Sequence, residues 1–321
     1  SSRLTESIKA SDKAPSIHAT LRGFPAETYA KSSRVARVSA NLKQLSELSK
    51  RGPHRVMEGD LGHTGLPGKV YAPAKGKDLP AVAFGHDWRR DIGAYTETLR
   101  HLASWGIVVA APDTETGLSP DHAGFAADLE TTLQILAGVR MGDGEVTVSP
   151  GKLGVAGHGM GGGAAVLTAV GNDKVRAVAA LYPANVAPSA VEAARRVYVP
   201  GLIVGPGEDA NSLFNPGNPA KLAYNWAGQV SYRTVKKASQ QGFSEDGLGI
   251  RLLGLGSNDK KNQETTRALL TGFLLHKLAG EKKYAAFSDA EATGKNVDSL
   301  IGEDLAEAAG IARDDSKFSL F

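Results

Sequence analysis

The sequence predicts an α/β fold built on a mostly parallel central sheet flanked by helices, and three observations lead to that prediction. Short apolar runs alternate with amphipathic stretches between residues 54 and 285. The apolar runs are nearly continuous, which is typical of parallel strands that are buried on both faces. Gly, Pro or charged residues bound each run and mark the turns between elements.

The expected elements follow one another along the chain. The central strands are expected at residues 81–85, 107–112, 152–157, 175–181, 201–205 and 250–255, and the helices at 95–105, 122–139, 161–170 and 262–278. Residues 55–58 and 69–72 are expected to open the sheet as antiparallel edge strands. Two further helices are expected outside this region, at 41–50 and 297–309.

Charge and composition divide the chain into three parts. We expect a basic, partly helical extension at 1–53, an α/β domain at 54–285, and an acidic, partly helical tail at 286–321. Residues 1–50 carry nine Lys or Arg and four Asp or Glu, whereas residues 286–321 carry three and eight. Two interpretations stay open: both arms are solvated, or they dock on each other or on a partner.

The overall composition excludes several classes of protein. The net charge is only +3, so nothing in the total indicates a nucleic acid partner. The chain has no cysteine, which excludes disulfides, thiolate metal sites and cysteine nucleophiles. No apolar run reaches the roughly 18–20 residues that cross a bilayer. No leader is visible, which slightly favours the cytoplasm, and a processed envelope or secreted form stays open.

The most informative segment is Gly157-His158-Gly159-Met160-Gly161-Gly162. A strand pattern precedes it and a helix pattern of small residues follows it. In serine hydrolases the motif G-x-S-x-G occupies such a turn and presents the nucleophile at its middle position. Here the middle position is Gly159, which has no side chain that can attack a carbonyl.

Four segments resemble the cutinase-like polyester hydrolases, relatives of the dienelactone hydrolase and chlorophyllase group. The family elbow G-x-S-M-G-G-G is matched by GHGMGGG at 157–163, and the family strand L-A-S-x-G-[FI]-V-V by LASWGIVV at 102–109. The strand V-P-x-L-I is matched by VPGLI at 199–203, and the final G-S-H by GSN at 256–258. This similarity spans roughly residues 54–287, and it implies an α/β-hydrolase fold.

The resemblance also implies which catalytic groups are missing. Asp209 stands at the position of the triad acid, Gly159 at that of the serine, and Asn258 at that of the histidine. An amide has no basic nitrogen and cannot accept the nucleophile's proton. After Asp209 the only histidine is His276, which lies inside a helical pattern. Because two triad positions are changed, we expect a natural member without catalytic activity.

The backbone donors of the catalytic site are expected to remain. The backbone N–H of Met160 and one from the loop at His86 should still form an oxyanion hole, which could hold a carboxylate or an ester carbonyl. The expected pocket walls are Asp87, Trp88, His158 and Tyr182. A structural role is expected for His158, whereas His86 is the residue more open to function.

Three functions therefore stay open. The first is an inactive hydrolase-like protein that binds a small acyl, ester or lipid-like ligand, or a protein partner through the N-terminal arm or an insertion at 209–258. The second is an esterase with an unconventional site that uses His86 and Asp209. The third is a structural module with a closed pocket. No cofactor is expected, and no local ligand spacing indicates a metal site.

Overall fold

The computed structural model describes residues 40–138, 140–207, 217–245 and 259–311. The strands in these residues are β1 (Val56–Asp60), β2 (Gly68–Pro73), β3 (Gly76–Gly85), β4 (Val108–Pro112), β5 (Arg140–Met141), β6 (Val146–His158), β7 (Val175–Leu181), β8 (Gly201–Pro206), β9 (Val230–Val235) and β10 (Val297–Ser299). The α-helices are α1 (Leu45–Leu48), α2 (Thr96–Ser104), α3 (His122–Gly138), α4 (Met160–Ala169), α5 (Ala190–Ala193), α6 (Pro219–Asn225), α7 (Asp259–Lys277) and α8 (Gly302–Ala308).

All of these strands join one sheet in the order β1-β2-β4-β3-β6-β7-β8-β9-β10, with β5 paired to β6. The strands from β4 to β9 in this order run parallel to one another. The β1–β2 hairpin is antiparallel at one edge, and β10 is antiparallel to β9 at the other. The expected mostly parallel sheet with an antiparallel opening hairpin is therefore confirmed.

The apolar side chains of the strands alternate between two hydrophobic cores, one on each face of the sheet. Val82 and Phe84 of β3 pack in one core, with apolar residues of α2 and α7. Ala81 and Ala83 of the same strand pack in the other, with apolar residues of α3 and α4. Because both faces are covered, the central strands contain almost only apolar residues, as the sequence pattern indicated.

Two expected helices differ from the structure. In the N-terminal arm the α-helix is limited to Leu45–Leu48 rather than spanning 41–50. In the tail, the expected helix at 297–309 is replaced by strand β10 followed by α8. Without a neighbour, β9 would have unpaired backbone groups at the edge of the sheet. Val297–Ser299 forms a strand because it hydrogen-bonds to these groups. None of the described helices is both long and apolar enough to cross a bilayer.

The stretch expected as an insertion at 209–258 is in part integral to the fold. It contains α6 and the sheet strand β9, which pairs in parallel with β8. The sequence did not indicate β9 because Arg233 interrupts its apolar pattern. The strand expected at 250–255 lies outside the described residues.

The parallel strands bring their carboxyl ends to one edge of the sheet. Gly85 at the end of β3 pairs with Gly157, and His158 at the end of β6 pairs with Leu181. The loops that follow β3, β6 and β9 therefore leave the sheet at the same edge. Ligand sites of parallel α/β sheets lie at this edge.

Candidate functional site

The turn between β6 and α4 has the backbone of a nucleophile elbow. Gly159 caps the helix with φ 55° and ψ −118°. This conformation costs about 1–3 kcal/mol in a residue that has a Cβ, and glycine adopts it freely. At Gly161 an added Cβ would lie 2.1 Å from the carbonyl oxygen of Gly85, so glycine is needed there for close packing of α4 on β3.

The carboxylate of Asp87 lies inside this turn. Its Oδ1 accepts hydrogen bonds from the backbone N–H groups of Met160 at 2.9 Å and Trp88 at 2.7 Å. Its Oδ2 accepts one from the side-chain amide of Gln240 at 3.1 Å. Met160 is the first residue of α4, so the negative charge lies at the positive end of the helix dipole. The donor that was expected to bind an oxyanion thus binds a carboxylate of the chain itself.

Asp87 also occupies the space that a side chain at position 159 would need. A Cβ added to Gly159 would lie 2.0 Å from Oδ1 and 2.2 Å from Cγ of Asp87. These distances are far shorter than any van der Waals contact, so the two side chains exclude each other. The Asp87 carboxylate thus fills the space beside the middle position of the turn, where the sequence predicts that an active member would carry its serine.

A closed ring of hydrogen bonds holds Asp87 in place. The backbone N–H of Asp87 donates to the Tyr95 hydroxyl at 3.0 Å, and this hydroxyl lies 2.7 Å from Nδ1 of His158. Nε2 of His158 lies 2.6 Å from the carbonyl oxygen of Gln240. A carbonyl only accepts, so Nε2 carries the proton and Nδ1 accepts from Tyr95. The hydrogen bond from the Gln240 side-chain amide to Asp87 closes the ring. His158 is a member of this ring and therefore has a structural role.

Aromatic side chains cover this ring. Phe243 packs edge-on against His158 with ring centroids 5.0 Å apart, and it also contacts Tyr95 and Tyr182. Gln240 and Phe243 are buried, although the polar composition of residues 240–249 is typical of a surface loop. The difference arises because these two side chains fill the crevice above the elbow, which the polar composition of the loop does not reveal. Residues 246–249 lie outside the described residues.

Glu245 anchors the segment at 240–245, which covers the hydrogen-bonded ring, to α2. Its carboxylate accepts the backbone N–H groups of Glu97 at 2.8 Å and Thr98 at 2.9 Å, which are in the first turn of the helix. It also accepts a hydrogen bond from Arg267 of α7 at 3.2 Å. Burial raises the pKa of Glu245, while these donors and Arg267 act in the opposite direction. The segment is thus tied to two helices.

His86 is fully buried and engaged with the backbone. Its Nδ1 lies 2.8 Å from the carbonyl oxygen of Asp87, and its Nε2 lies 2.6 Å from that of Thr114. The ring also packs against Phe125 with centroids 4.7 Å apart. Both nitrogens are thus turned toward carbonyl oxygens of the chain. This arrangement gives no support to His86 as an acid or base.

The other expected wall residues lie in different environments. The Tyr182 hydroxyl is buried and lies 2.8 Å from the hydroxyl of Thr266. Burial raises the pKa of Tyr182, which keeps its hydroxyl protonated. Trp88, in contrast, is 49% exposed, and its indole N–H donates to the carbonyl oxygen of Leu118. Tyr182 is therefore part of the core, and Trp88 is a surface residue beside the elbow.

Two of the expected triad positions, Asp209 and Asn258, lie outside the described residues. Sequence reasoning missed Gln240, which follows β9, the strand next to β8, after which the triad acid was expected. The loop after β9 contains Ala238-Ser239-Gln240, which shares the serine of the G-S-H that ends the final strand of the resembling family. That short likeness is the signal that could have identified it.

Comparison with known proteins supports the assignment of an α/β-hydrolase fold. The model of the PETase family, described as PET hydrolase-like, matches residues 40–226, which is more than half of the chain. No curated protein matches the chain. Together with the sheet order, the family match confirms the expected α/β-hydrolase fold and the likeness to cutinase-like hydrolases.

Within the described residues, no group of His, Asp and Glu is arranged to hold a metal ion.

Proposed function

This chain belongs to the PET hydrolase-like family, and we propose that it is a member that has lost ester hydrolysis and acts as a binding protein. The observation that carries the proposal is the 2.9 Å hydrogen bond from the Met160 N–H to the carboxylate of Asp87. An oxyanion hole stabilises charge that develops on the substrate. Here a carboxylate of the protein itself already accepts the hydrogen bond of the Met160 donor.

In the proposed inactive site, both the nucleophile and the base are missing. Gly159 offers no hydroxyl at the elbow, and Asp87 blocks the space from which a substitute could act. We propose Gln240 as the counterpart of the base, in place of Asn258. Either residue is an amide and cannot take a proton from a nucleophile.

The expected loss of rate is large. In a serine protease, removal of the nucleophile or the base alone lowers kcat about 10⁶-fold. The residual rate, about 10³–10⁴-fold over water, comes from the oxyanion hole and from binding. In this chain Asp87 also occupies one oxyanion donor, so we expect even that remainder to be reduced.

We propose that binding uses surfaces away from the elbow. A small acyl or ester ligand at the elbow would have to displace Asp87 and disrupt the hydrogen-bonded ring. The three-part division proposed from the sequence offers other surfaces, a basic extension at 1–53 and an acidic tail at 286–321. Segments of opposite charge recognise charged protein partners, and we propose such a partner for them.

The loss of hydrolysis is tested with p-nitrophenyl butyrate. The unmodified chain is expected to hydrolyse this ester at the background rate. The triple variant Asp87→Ala, Gly159→Ser, Gln240→His restores a hydroxyl, an imidazole and the space for both. It is expected to gain turnover and to be labelled at position 159 by a fluorophosphonate.

The matched control carries Gly159→Ala in place of Gly159→Ser and should neither react nor be labelled. Turnover by the unmodified chain that disappears in His86→Ala would overturn the proposal. A triple variant that binds the ester without turnover or labelling would contradict the assignment of Gln240 to the base position.

A further inference from the structure

We propose that a cavity beside the first hairpin binds a small carboxylic acid with an apolar body. This inference goes beyond the loss of hydrolysis and does not depend on it. The cavity lies between β1, β2, the C-terminal part of α3 and the β5 strand, and its volume is about 270 Å³. It shares no residue with the ring around Asp87.

The walls of the cavity are apolar. They are formed by the side chains of Met57, Val70, Ile135, Leu136 and Met141. Two of these are methionines, and the whole chain contains only three. Methionine side chains are flexible and polarisable, and they adapt to ligands of irregular shape. The wall thus suits an aliphatic or aromatic body.

The rim of the cavity supplies a free positive charge. Arg140 lies at the rim and is exposed. Among the described residues, its guanidinium makes no ion pair. His63 and Thr64 lie at the same rim. A guanidinium without a partner binds carboxylates, often through two parallel hydrogen bonds.

Two carboxylates also lie at the rim, and both are already engaged. Glu58 accepts hydrogen bonds from Lys69 at 2.6 Å and Arg100 at 2.7 Å. The hydrogen bond from Lys69 is the main reason that the pKa of Glu58 is lowered. Oδ1 of Asp60 accepts the backbone N–H of Gly62, and its charge interacts with Lys69. Among the described residues, Lys69 and Arg100 thus balance the two carboxylates, and the positive charge of Arg140 remains for a ligand.

The size of the cavity sets the size of the ligand. Sites for drug-sized ligands have volumes of about 300–1,000 Å³, so this cavity suits a ligand of roughly ten heavy atoms. A straight-chain acid such as octanoate meets this limit. Its methylene groups would lie on Met57 and Met141, and its carboxylate would bind Arg140.

The three methionines make the test direct. The full chain is labelled with ¹³C at the methionine methyl groups and titrated with octanoate. The signals of Met57 and Met141 are expected to shift and to saturate, whereas the signal of Met160, buried at the elbow, stays in place. The variants Met57→Leu and Met141→Leu assign the signals.

Matched ligands and variants test the role of charge. Arg140→Gln is expected to weaken octanoate binding at least fivefold and to leave the binding of 1-octanol unchanged. Arg176→Gln removes an exposed arginine of β7, which does not line the cavity, and should bind both ligands as the unmodified chain does.

Three results would overturn the inference. The first is a shift of Met160 without shifts of Met57 and Met141, which would place the ligand at the elbow. The second is the absence of saturable shifts at millimolar octanoate. The third is equal weakening of octanoate and octanol by Arg140→Gln. The ester assay is independent of all three, so failure of either proposal is recognised separately.

Discussion

The side-chain amide of Gln240 donates a hydrogen bond to Oδ2 of Asp87 across 153 residues of sequence. One residue follows β9 and the other follows β3, so the bond joins two loops at the carboxyl edge of the sheet. In parallel α/β sheets the ligand lies at this edge. Here Gln240 and Asp87, which we propose stand at the positions of the base and of the oxyanion loop, bond to each other, and the arrangement leads to the following predictions.

Gly159→Ala is expected to lower the free energy of unfolding by about 3 kcal/mol. The added Cβ combines backbone strain with a clash against the Asp87 carboxylate. In the background of Asp87→Ala the clash is gone and only the strain remains. Urea unfolding of the two single variants and the double variant should therefore show a coupling energy of about 1 kcal/mol or more. Strict additivity would mean that the two side chains do not compete for space.

Asp87→Ala is expected to create a binding site for formate. The variant leaves the N–H groups of Met160 and Trp88 without their acceptor, which costs about 1–3 kcal/mol for a buried group. Formate supplies a carboxylate of the size that was removed. At ten times its Kd, formate should stabilise the variant by about 1.4 kcal/mol relative to chloride at equal ionic strength, which is measured as a rise in Tm.

The unmodified chain is the control for this rescue, because its own carboxylate fills the site. Equal stabilisation of both proteins by formate would show that the anion acts elsewhere.

The stability of the protein is expected to fall between pH 7 and pH 4.5, in part through His101. Burial, with the nearby charge of Arg267 as a lesser cause, lowers the pKa of His101 from 6.5 to about 4. The folded protein therefore keeps this ring neutral while the unfolded chain takes up a proton below about pH 6.5. Acid thus favours unfolding, and His101 alone contributes a loss of about 2–3 kcal/mol at pH 4.5.

The comparison with His101→Leu isolates this contribution. Glu245, whose pKa is raised by burial, acts in the opposite direction in both proteins. The free energy of unfolding should depend less steeply on pH in the variant. Parallel pH profiles would contradict a neutral, buried His101.

Arg233→Met is expected to cost about 3 kcal/mol or more. Arg233 is fully buried in β9, and it donates to the carbonyl oxygens of Ala292 at 3.0 Å and Ala286 at 3.2 Å, and also to that of Asp289. Its loss leaves buried carbonyl groups without donors. Arg233→Lys should also destabilise, because one ammonium cannot reach all of these acceptors.

The control for Arg233 lies three residues further along the chain. Lys236 is an exposed partner of Asp298 at 3.6 Å, and Lys236→Met should leave urea unfolding unchanged. Equal effects of the two substitutions would show that Arg233 has no special role in holding residues 286–292.

Much of the fold follows from local patterns. The strand expected at 175–181 matches β7 at both ends. For β3 and β4 the expected last residues, Gly85 and Pro112, agree as well. The glycines around Gly159 indicated a tight turn between strand and helix. These features depend on neighbouring residues, which is why a single sequence reveals them.

The remaining features depend on contacts between distant residues. Arg233 is charged, so its strand gave no apolar signal, and the carbonyl groups that accept its hydrogen bonds come from more than 50 residues downstream. Similarly, nothing near Asp87 indicates that its side chain reaches into an elbow 72 residues away. The polar neighbours of Gln240 are typical of a surface loop, so the sequence does not indicate its burial.

The 2.0 Å approach between Asp87 and a side chain at position 159 has an evolutionary consequence. A codon change that restores serine at the elbow would by itself damage the protein, because the new side chain collides with a carboxylate already held there. Under the proposed loss of hydrolysis, selection would remove such a variant before a histidine could arise at position 240. A return to hydrolysis would then require the aspartate to be replaced first.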